Sequence, residues 1–185
     1  MMVTLTGFMG SGKTTVGKVL ADFLGCPFLD LDDLVVKKAG KSIPEIFEQD
    51  GEPAFRELEA RLLSQTVGKY AESPAVLALG GGAILAPASA ALLREKTVCI
   101  YLRATLDTLL ARLAGETAGR PLLQEIPGQA RNDGGSVVKP GPDRASVAAR
   151  LAAREPLYEE TAHVIIDTDG LSPDEVADEI IITAL

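Results

Sequence analysis

The sequence has little of what several protein classes require. Its two cysteines, Cys26 and Cys99, lie far apart in apolar runs, and it contains a single histidine. This composition leaves no cysteine–histidine cluster for a structural zinc site, and it favours two buried thiols over a disulfide. The 26 acidic side chains outnumber the 18 basic ones, which gives a net charge of −8. So acidic a chain lacks the basic face of a nucleic-acid binder, but it is compatible with a local cationic pocket for a small anion.

Long apolar runs are also missing, and we expect no secretory signal. No apolar run reaches the roughly 18 residues that a membrane-spanning helix needs. Residues 1–6 lead directly into a glycine motif instead of a basic stretch and a cleavage site. The hydrophobic fraction of 46% is sufficient for one core. We therefore expect one domain over residues 1–185, a cytoplasmic monomer with neither nucleic acid nor a membrane as its partner.

Short β-rich runs alternate with helical spacing along the whole chain. The predicted strands cover 2–6, 26–29, 75–79, 97–102 and 163–166. The predicted helices cover 12–24, 33–39, a segment capped by Ser42, 53–70, 87–94, 106–113, 144–160 and 173–184. This alternation predicts an α/β fold, a five-stranded parallel sheet with helices on both faces. Ligands of such a fold bind at the carboxyl ends of the strands.

A phosphate-binding loop lies between the first strand and the first helix. Residues 7–14 read Gly-Phe-Met-Gly-Ser-Gly-Lys-Thr, which satisfies the pattern G-x-x-x-x-G-K-[ST]. Backbone N–H groups of such a loop, and the helix that follows it, surround phosphate oxygens. Lys13 would bridge the β- and γ-phosphates, and the hydroxyl of Thr14 would bind Mg²⁺. The predicted ATP-binding residues of the loop are Gly10, Ser11, Gly12, Lys13, Thr14 and Thr15.

Acidic residues end the second predicted strand, whereas three glycines end the apolar third strand. Asp30 and Asp32 are two residues apart, so on a strand they would point to the same face. The alternative is that Asp32 caps a helix beginning at Asp33. Since GTPases, ATPase motors and small-molecule kinases all carry the phosphate loop, these patterns leave the reaction open.

Several further motifs, in their order along the chain, resemble the shikimate kinase family. The matching stretches are 7–17, 28–32, 40–47, 51–59, 80–83, 120–123 and 154–158. The resemblance implies a fold similar to nucleoside monophosphate kinases, with a helical substrate region and a lid at about 114–142. It also implies transfer of the γ-phosphoryl group of ATP to the 3-hydroxyl of shikimate, with Mg²⁺ as cofactor.

The resemblance assigns the substrate contacts. They would be Asp32, Arg56, Gly80, Gly81, Gly82 and Arg154. Arg56 and Arg154 would hold the shikimate carboxylate, which a planar guanidinium binds better than an ammonium group does. Asp32 would accept from a ring hydroxyl, and the three glycines would let the main chain approach the ring. Taken alone, Arg56 could instead pair with Glu59 on a helix face.

The resemblance also assigns the groups that act on the phosphates. Lys13, Asp32 and Arg120 would be catalytic, with Arg120 reaching the transferring phosphate from the lid. Arg112 and Arg120 would bind ATP, and Asp30 would hold Mg²⁺ through water. His163 has no matching role, and we interpret it as a structural or surface residue.

The segment 124–142 departs from the family pattern. Seven of its 19 residues are glycine or proline, and we interpret it as a mobile, dispensable insertion in the lid. Because the helix after it starts irregularly, Arg150 is an alternative to Arg154. Two other functions stay open, a related small-molecule kinase of the gluconate type and a non-catalytic nucleotide-binding relative.

Overall fold

Five parallel strands form the centre of the structure, a computed structural model that describes residues 1–116 and 143–185. The strands are β1 (Met2–Thr6), β2 (Phe28–Asp30), β3 (Ala75–Ala78), β4 (Val98–Arg103) and β5 (Val164–Asp167). Their order in the sheet is β2-β3-β1-β4-β5. The predictions for Arg120, for the insertion 124–142 and for most of the lid lie outside the described residues.

The register of the sheet brings three strand ends together. Asp30 at the end of β2 lies opposite Ala78 of β3, and Ala78 lies opposite Leu5 of β1. Because all pairings are parallel, the segments after β1, β2 and β3 leave the sheet at the same edge. This edge is where ligands of such sheets bind.

Helices cover both faces of the sheet, which confirms the predicted fold class. The described α-helices are α1 (Lys13–Phe23), α2 (Leu31–Ala39), α3 (Ile43–Gln49), α4 (Gly51–Lys69), α5 (Pro87–Lys96), α6 (Leu106–Glu116), α7 (Arg144–Thr161) and α8 (Pro173–Ala184). On one face Val3 of β1 packs in one buried cluster with Leu20 of α1 and Ile180 of α8. On the other face Leu77 of β3 shares a cluster with Leu63 of α4.

A smaller apolar cluster joins the helices that follow β2. Val35, Ile46 and Phe55, from α2, α3 and α4 in turn, are all buried in it. Ser42 caps α3 as predicted, since its hydroxyl accepts from the N–H of Glu45 while the Glu45 carboxylate accepts in return. These three helices form a unit beside the strand ends.

The prediction that Asp30 and Asp32 share one strand is wrong. The strand β2 ends at Asp30 and α2 begins at Leu31, so Asp32 lies in the first helical turn. The proposed capping role of Asp32 is wrong too, because the cap is Asp30. Its Oδ1 accepts from the N–H of Asp32 at 3.0 Å. An extended residue with a short acceptor side chain suits this position, and its capping bond starts the helix two residues early.

The structure contains two free thiols and, in its described part, no candidate membrane-spanning helix. Cys26 and Cys99 are both free, and of the two only Cys99 is fully buried. No helix in the part of the chain that the structure describes is both long and apolar enough to cross a bilayer.

Candidate active site

The phosphate loop connects β1 directly to α1. Gly7 has φ +145°, and a Cβ there would lie 2.7 Å from the carbonyl oxygen of Leu102. Gly12, with φ +90°, is the N-cap of α1. Residues other than glycine are strained at such positive φ values, so the two glycines allow the tight turn. The turn places loop N–H groups and the amino end of α1 together, as anion binding requires.

Lys13 is held against the loop that contains it. Its Nζ donates to the carbonyl oxygens of Gly7 at 2.9 Å and Phe8 at 2.8 Å, and to Oγ of Ser11 at 3.4 Å. These bonds keep the ammonium charge beside the loop N–H groups. A phosphate in the loop would therefore meet a positive charge on the same structural element.

Two oxygen atoms that could bind a metal ion lie close together at the start of α1. Oγ1 of Thr14 donates to Oδ2 of Asp30 at 2.9 Å. Hydroxyl and carboxylate oxygens fit Mg²⁺, which takes one or two protein ligands and completes its shell with water and phosphate oxygens. Among the described residues, no group of three or more His, Cys, Asp or Glu side chains could hold a metal. Thr14 and Asp30 therefore fit a Mg²⁺ ion that takes its remaining ligands from water and from nucleotide phosphates.

Two carboxylates converge on Gly80, directly after the end of β3. A Cβ at this position would lie 2.7 Å from Oδ1 of Asp32 and 2.9 Å from Oε1 of Glu59. Burial raises the pKa of Asp32 to about 6, with the charges of Asp30 and Glu59 acting in the same direction and Lys13 opposing them. Burial also raises the pKa of Glu59, against the effect of Arg56.

Arg56 approaches the same glycine run from α4. Its Nη1 donates to Oε2 of Glu59 at 2.8 Å, and a Cβ at Gly82 would lie 2.7 Å from both of its terminal nitrogens. Glu59 is 3% exposed, and its second oxygen, Oε1, has no hydrogen-bond partner among residues 1–116 and 143–185. The helix-face pairing and the pocket position, which the sequence offered as alternatives, therefore occur together.

Arg154 approaches the glycine run from α7. Its Nη1 donates to the carbonyl oxygen of Gly81 at 3.2 Å, and its guanidinium carbon lies 5.9 Å from the centre of the Phe8 ring. The hydroxyl of Tyr158 donates to the same Gly81 oxygen at 2.5 Å. Of the described arginines of α7, Arg154 is the one bonded to the glycine run, and its role at the substrate carboxylate in preference to Arg150 stays a prediction.

The arrangement around the glycine run suits a small hydroxylated acid. Arg56 and Arg154 present planar cations that match a carboxylate, and Asp32 presents an acceptor for a hydroxyl. The phosphate loop lies at the same edge of the sheet, since Gly81 is near Gly7 and Met9. A phosphate donor and a hydroxyl acceptor would therefore be neighbours.

Arg112 connects the phosphate loop to the segment after β5. Its Nη2 donates to the carbonyl oxygen of Thr168 at 2.8 Å, and its Nη1 donates to Oγ1 of Thr168 at 3.1 Å. A longer bond of 3.5 Å runs to the carbonyl oxygen of Ser11. Arg112 therefore lies beside the loop, where its predicted contact with ATP requires it.

A family model and curated relatives identify the family of this chain. The family model for shikimate kinase matches residues 9–184. The chain belongs to the shikimate kinase family. It is 45% identical over 169 residues to a shikimate kinase from Salinibacter ruber, covering 91% of this chain and 78% of the relative. A shikimate kinase from Geobacter sulfurreducens is 44% identical over 178 residues, covering 96% and 87%.

A solved structure supports the same family. It is a shikimate kinase from Acinetobacter baumannii in complex with shikimate, 35% identical, with a TM-score of 0.80. The match covers 97% of this chain and 90% of that one. Membership of the shikimate kinase family confirms the resemblance seen in the sequence and makes the chain an ATP-dependent kinase. It favours shikimate kinase over both the gluconate-type and the non-catalytic alternatives.

Two residues of this site, Glu59 and Tyr158, were not among the site residues predicted from the sequence. A signal for Glu59 was available, because Phe55, Glu59, Leu63 and Val67 recur every four residues and are all buried on α4. A carboxylate within an apolar stripe predicts a buried partner. Tyr158 follows Arg154 by one helical turn, but only the packing shows that it contacts Gly81.

His163 has the structural position that we expected. Its ring Nδ1 accepts from the backbone N–H of Cys99 at 3.1 Å, and its backbone N–H donates to the Cys99 carbonyl oxygen at 2.7 Å. These bonds join the starts of β4 and β5, at the opposite end of the strands from the phosphate loop.

Proposed function

We propose that this chain transfers the γ-phosphoryl group of ATP to the 3-hydroxyl of shikimate, giving shikimate 3-phosphate and ADP. The observation that supports this most is the meeting of Asp32, Arg56 and Arg154 at one glycine run beside a phosphate loop. The family supports the substrate, and a similar structure, that from Acinetobacter baumannii, holds shikimate.

Arg56 and Arg154 bind the carboxylate of shikimate. The two guanidinium groups come from different helices and flank Gly81 and Gly82, so a carboxylate between them receives planar donors from two sides. Glu59 holds Arg56 through the 2.8 Å bond, whereas the bonds from Nε and Nη2 to Glu52 are longer, 3.4 Å, and exposed, so a substrate carboxylate can compete for these donors. The ring then lies against the backbone of the glycine run, where a side chain would exclude it.

Asp32 accepts the proton of the reacting hydroxyl. With its pKa raised to about 6, this carboxylate is largely ionised at neutral pH but is a better base than an ordinary aspartate. It lies against Gly80, so a hydroxyl on a ring that rests on the glycine run is within its reach. Proton transfer or hydrogen bonding there orients the hydroxyl oxygen toward the phosphate loop.

The loop and its neighbours bind the nucleotide. The loop N–H groups and Lys13 hold the β- and γ-phosphates, and Arg112 lies beside the nucleoside. Thr14 and Asp30 would hold Mg²⁺, Asp30 through water; when bound, the ion neutralises charge on the phosphate oxygens. Arg120 is proposed to add a positive charge at the transferring phosphate.

We infer a cytoplasmic monomer that binds neither nucleic acid nor a membrane. The described candidate substrate contacts, Asp32, Arg56 and Arg154, come from one chain, and the net charge of −8 disfavours nucleic acid. Size-exclusion chromatography with light scattering should give the mass of one chain.

A coupled assay of ADP release tests the reaction. With ATP and Mg²⁺, shikimate should stimulate ADP release and gluconate should not, and removal of Mg²⁺ by a chelator should stop turnover. Stimulation by gluconate alone would contradict the substrate. ADP release that neither acid stimulates would contradict the kinase itself.

A further inference from the structure

Tyr158 is a buried donor to the glycine run. It is 0% exposed, and its hydroxyl donates to the carbonyl oxygen of Gly81 at 2.5 Å. Its ring stacks on that of Tyr101, with ring centres 5.0 Å apart and 23° between the ring planes. Burial raises the pKa of Tyr158, so its hydroxyl keeps the donated proton at neutral pH.

The Gly81 carbonyl oxygen accepts from two side chains of the same helix. Tyr158 and Arg154 lie one turn apart on α7, and their donor atoms lie 2.5 Å and 3.2 Å from this oxygen. A carbonyl oxygen has two lone pairs, so both are used. The position of the Arg154 guanidinium and the orientation of the Gly81–Gly82 peptide therefore depend on each other.

Three consecutive glycines need such a brace. Because glycine has no side chain, the backbone at Gly80, Gly81 and Gly82 has more conformational freedom than it would with any other residue type. Because the peptide group is planar, fixing the Gly81 carbonyl also fixes the direction of the Gly82 N–H. The neighbours Gly80 and Gly82 touch charged side chains on α2 and α4, whereas Gly81 is held from α7.

We propose that Tyr158 is a positioning residue for shikimate. Its hydroxyl holds the Gly81 carbonyl, and through it both the backbone on which the ring rests and the guanidinium of Arg154. Because Tyr158 is completely buried, it acts through these groups and makes no contact with the substrate. The inference rests on the proposed function.

Loss of this hydroxyl should affect one substrate only. In Tyr158→Phe the ring still stacks on Tyr101, but among the described side chains only Arg154 still donates to the Gly81 oxygen. The glycine run then gains freedom, and the Arg154 guanidinium loses the fixed oxygen that positions it. The described hydrogen bonds of Lys13 and Arg112 go to the phosphate loop and to Thr168, so we expect ATP binding to stay as it is.

Steady-state kinetics and calorimetry of Tyr158→Phe test the proposal. We expect the KM and the Kd for shikimate to rise about three- to tenfold, as for loss of one uncharged hydrogen bond. The KM for ATP should match that of Tyr101→Phe. That control removes a hydroxyl from the ring stacked against Tyr158 and leaves both donors of Gly81.

The same measurements in an Arg154→Lys background separate a positioning role from a structural one. If Tyr158 acts through Gly81 and Arg154, the second substitution should have less than half of its effect on the shikimate Kd. Full additivity, an unchanged shikimate Kd, equal losses for shikimate and ATP, or failure of Tyr158→Phe to fold would each overturn the proposal. An unmodified chain that does not phosphorylate shikimate would contradict the proposed function as well.

Discussion

Arg56 donates a 2.8 Å hydrogen bond from Nη1 to Oε2 of Glu59, one turn further along α4. Pairs with this spacing usually lie on helix surfaces and contribute little to stability. Here the carboxylate is almost entirely buried, and its other oxygen faces Gly80. The pair therefore directs the guanidinium of Arg56 onto the glycine run, next to the phosphate loop.

Lys13→Ala should abolish most phosphoryl transfer. It removes the ammonium charge that the loop holds beside its N–H groups, and one lost electrostatic contact of this kind lowers kcat by about 10²–10³-fold. The coupled ADP assay measures the effect. Lys18→Ala, on the exposed side of the same helix, is the control and should turn over normally. Normal turnover of Lys13→Ala would remove the phosphate-loop argument.

Arg154→Ala and Arg56→Lys should weaken shikimate binding while the KM for ATP stays near normal. The first removes a guanidinium, and the second keeps a charge for Glu59 but loses the planar fork. A charge pair with one partner removed costs about 2–5 kcal/mol, so the KM for shikimate after Arg154→Ala should rise at least ~30-fold. Arg61→Ala, exposed on α4, is the matched control.

Arg150→Ala decides the register of α7 in the same assay. It should resemble the unmodified enzyme, because Arg154 is the residue bonded to Gly81. If Arg150→Ala loses shikimate affinity and Arg154→Ala does not, the assignment of the two arginines is reversed.

Gly80→Ala and Gly82→Ala should fold but bind shikimate poorly. The new methyl groups would lie 2.7 Å from Oδ1 of Asp32 and from the Arg56 nitrogens, and these flexible side-chain ends can move aside. The fold then survives while the acceptor and the cation are displaced, which should raise the KM for shikimate by about tenfold or more. Kinetics and thermal unfolding measure the two effects separately.

Gly68→Ala is the control for these glycine variants. Position 68 is an exposed position on α4 with no atom near enough to contact a Cβ, so alanine should stabilise the protein by about 0.5–1 kcal/mol without changing kinetics. If Gly80→Ala behaves in the same way, the carboxylates do not crowd the glycine run.

Asp32 should make stability depend on pH. Its pKa is about 6 in the folded protein and about 4 in the unfolded chain, so the folded state binds this proton more tightly. The stability that protonated Asp32 contributes is fully present below about pH 4 and is lost as the pH rises through about 6. Asp32→Asn removes this dependence. Its stability relative to the unmodified protein should rise by about 2 kcal/mol between pH 4 and pH 8.

Urea unfolding at pH 4, 6 and 8, without nucleotide or Mg²⁺, measures this difference. Asp33→Asn, a substitution at the exposed neighbouring residue, is the control and should follow the unmodified protein. Parallel curves for Asp32→Asn and the unmodified protein would show that Asp32 has an ordinary pKa.

Shortening the insertion should preserve both fold and activity. We expect deletion of about 14 residues within 124–142, with 120–123 kept, to change the free energy of unfolding by less than about 1 kcal/mol. The start of α7 has its own contacts, since Asp143 accepts from the N–H of Ser146 at 3.0 Å and Arg144 pairs with Asp107. Thermal unfolding and turnover check this, and an unfolded deletion variant would show that the segment packs structurally.

The fold class, the phosphate loop and the family could be predicted from sequence because their signals are local or repeated. The loop motif spans eight consecutive residues between a strand and a helix, so it can be recognised without knowing how distant elements pack. The alternation of strand and helix patterns gave the layers of the sheet, and the capping residue Ser42 marked the start of α3 correctly. The order of these motifs along the chain is sufficient to identify the family.

Only the tertiary structure decided how the individual polar groups of the pocket are used. Asp30 and Asp32 share a spacing that fits either a strand or a capped helix, and a single capping bond selects the helix. Glu59 becomes a pocket residue because α4 packs its apolar stripe, and the carboxylate within it, against the strand ends. Tyr158 meets Gly81 from 77 residues away. Such contacts depend on how elements pack, and a pattern of neighbouring residues in a chain does not specify that packing.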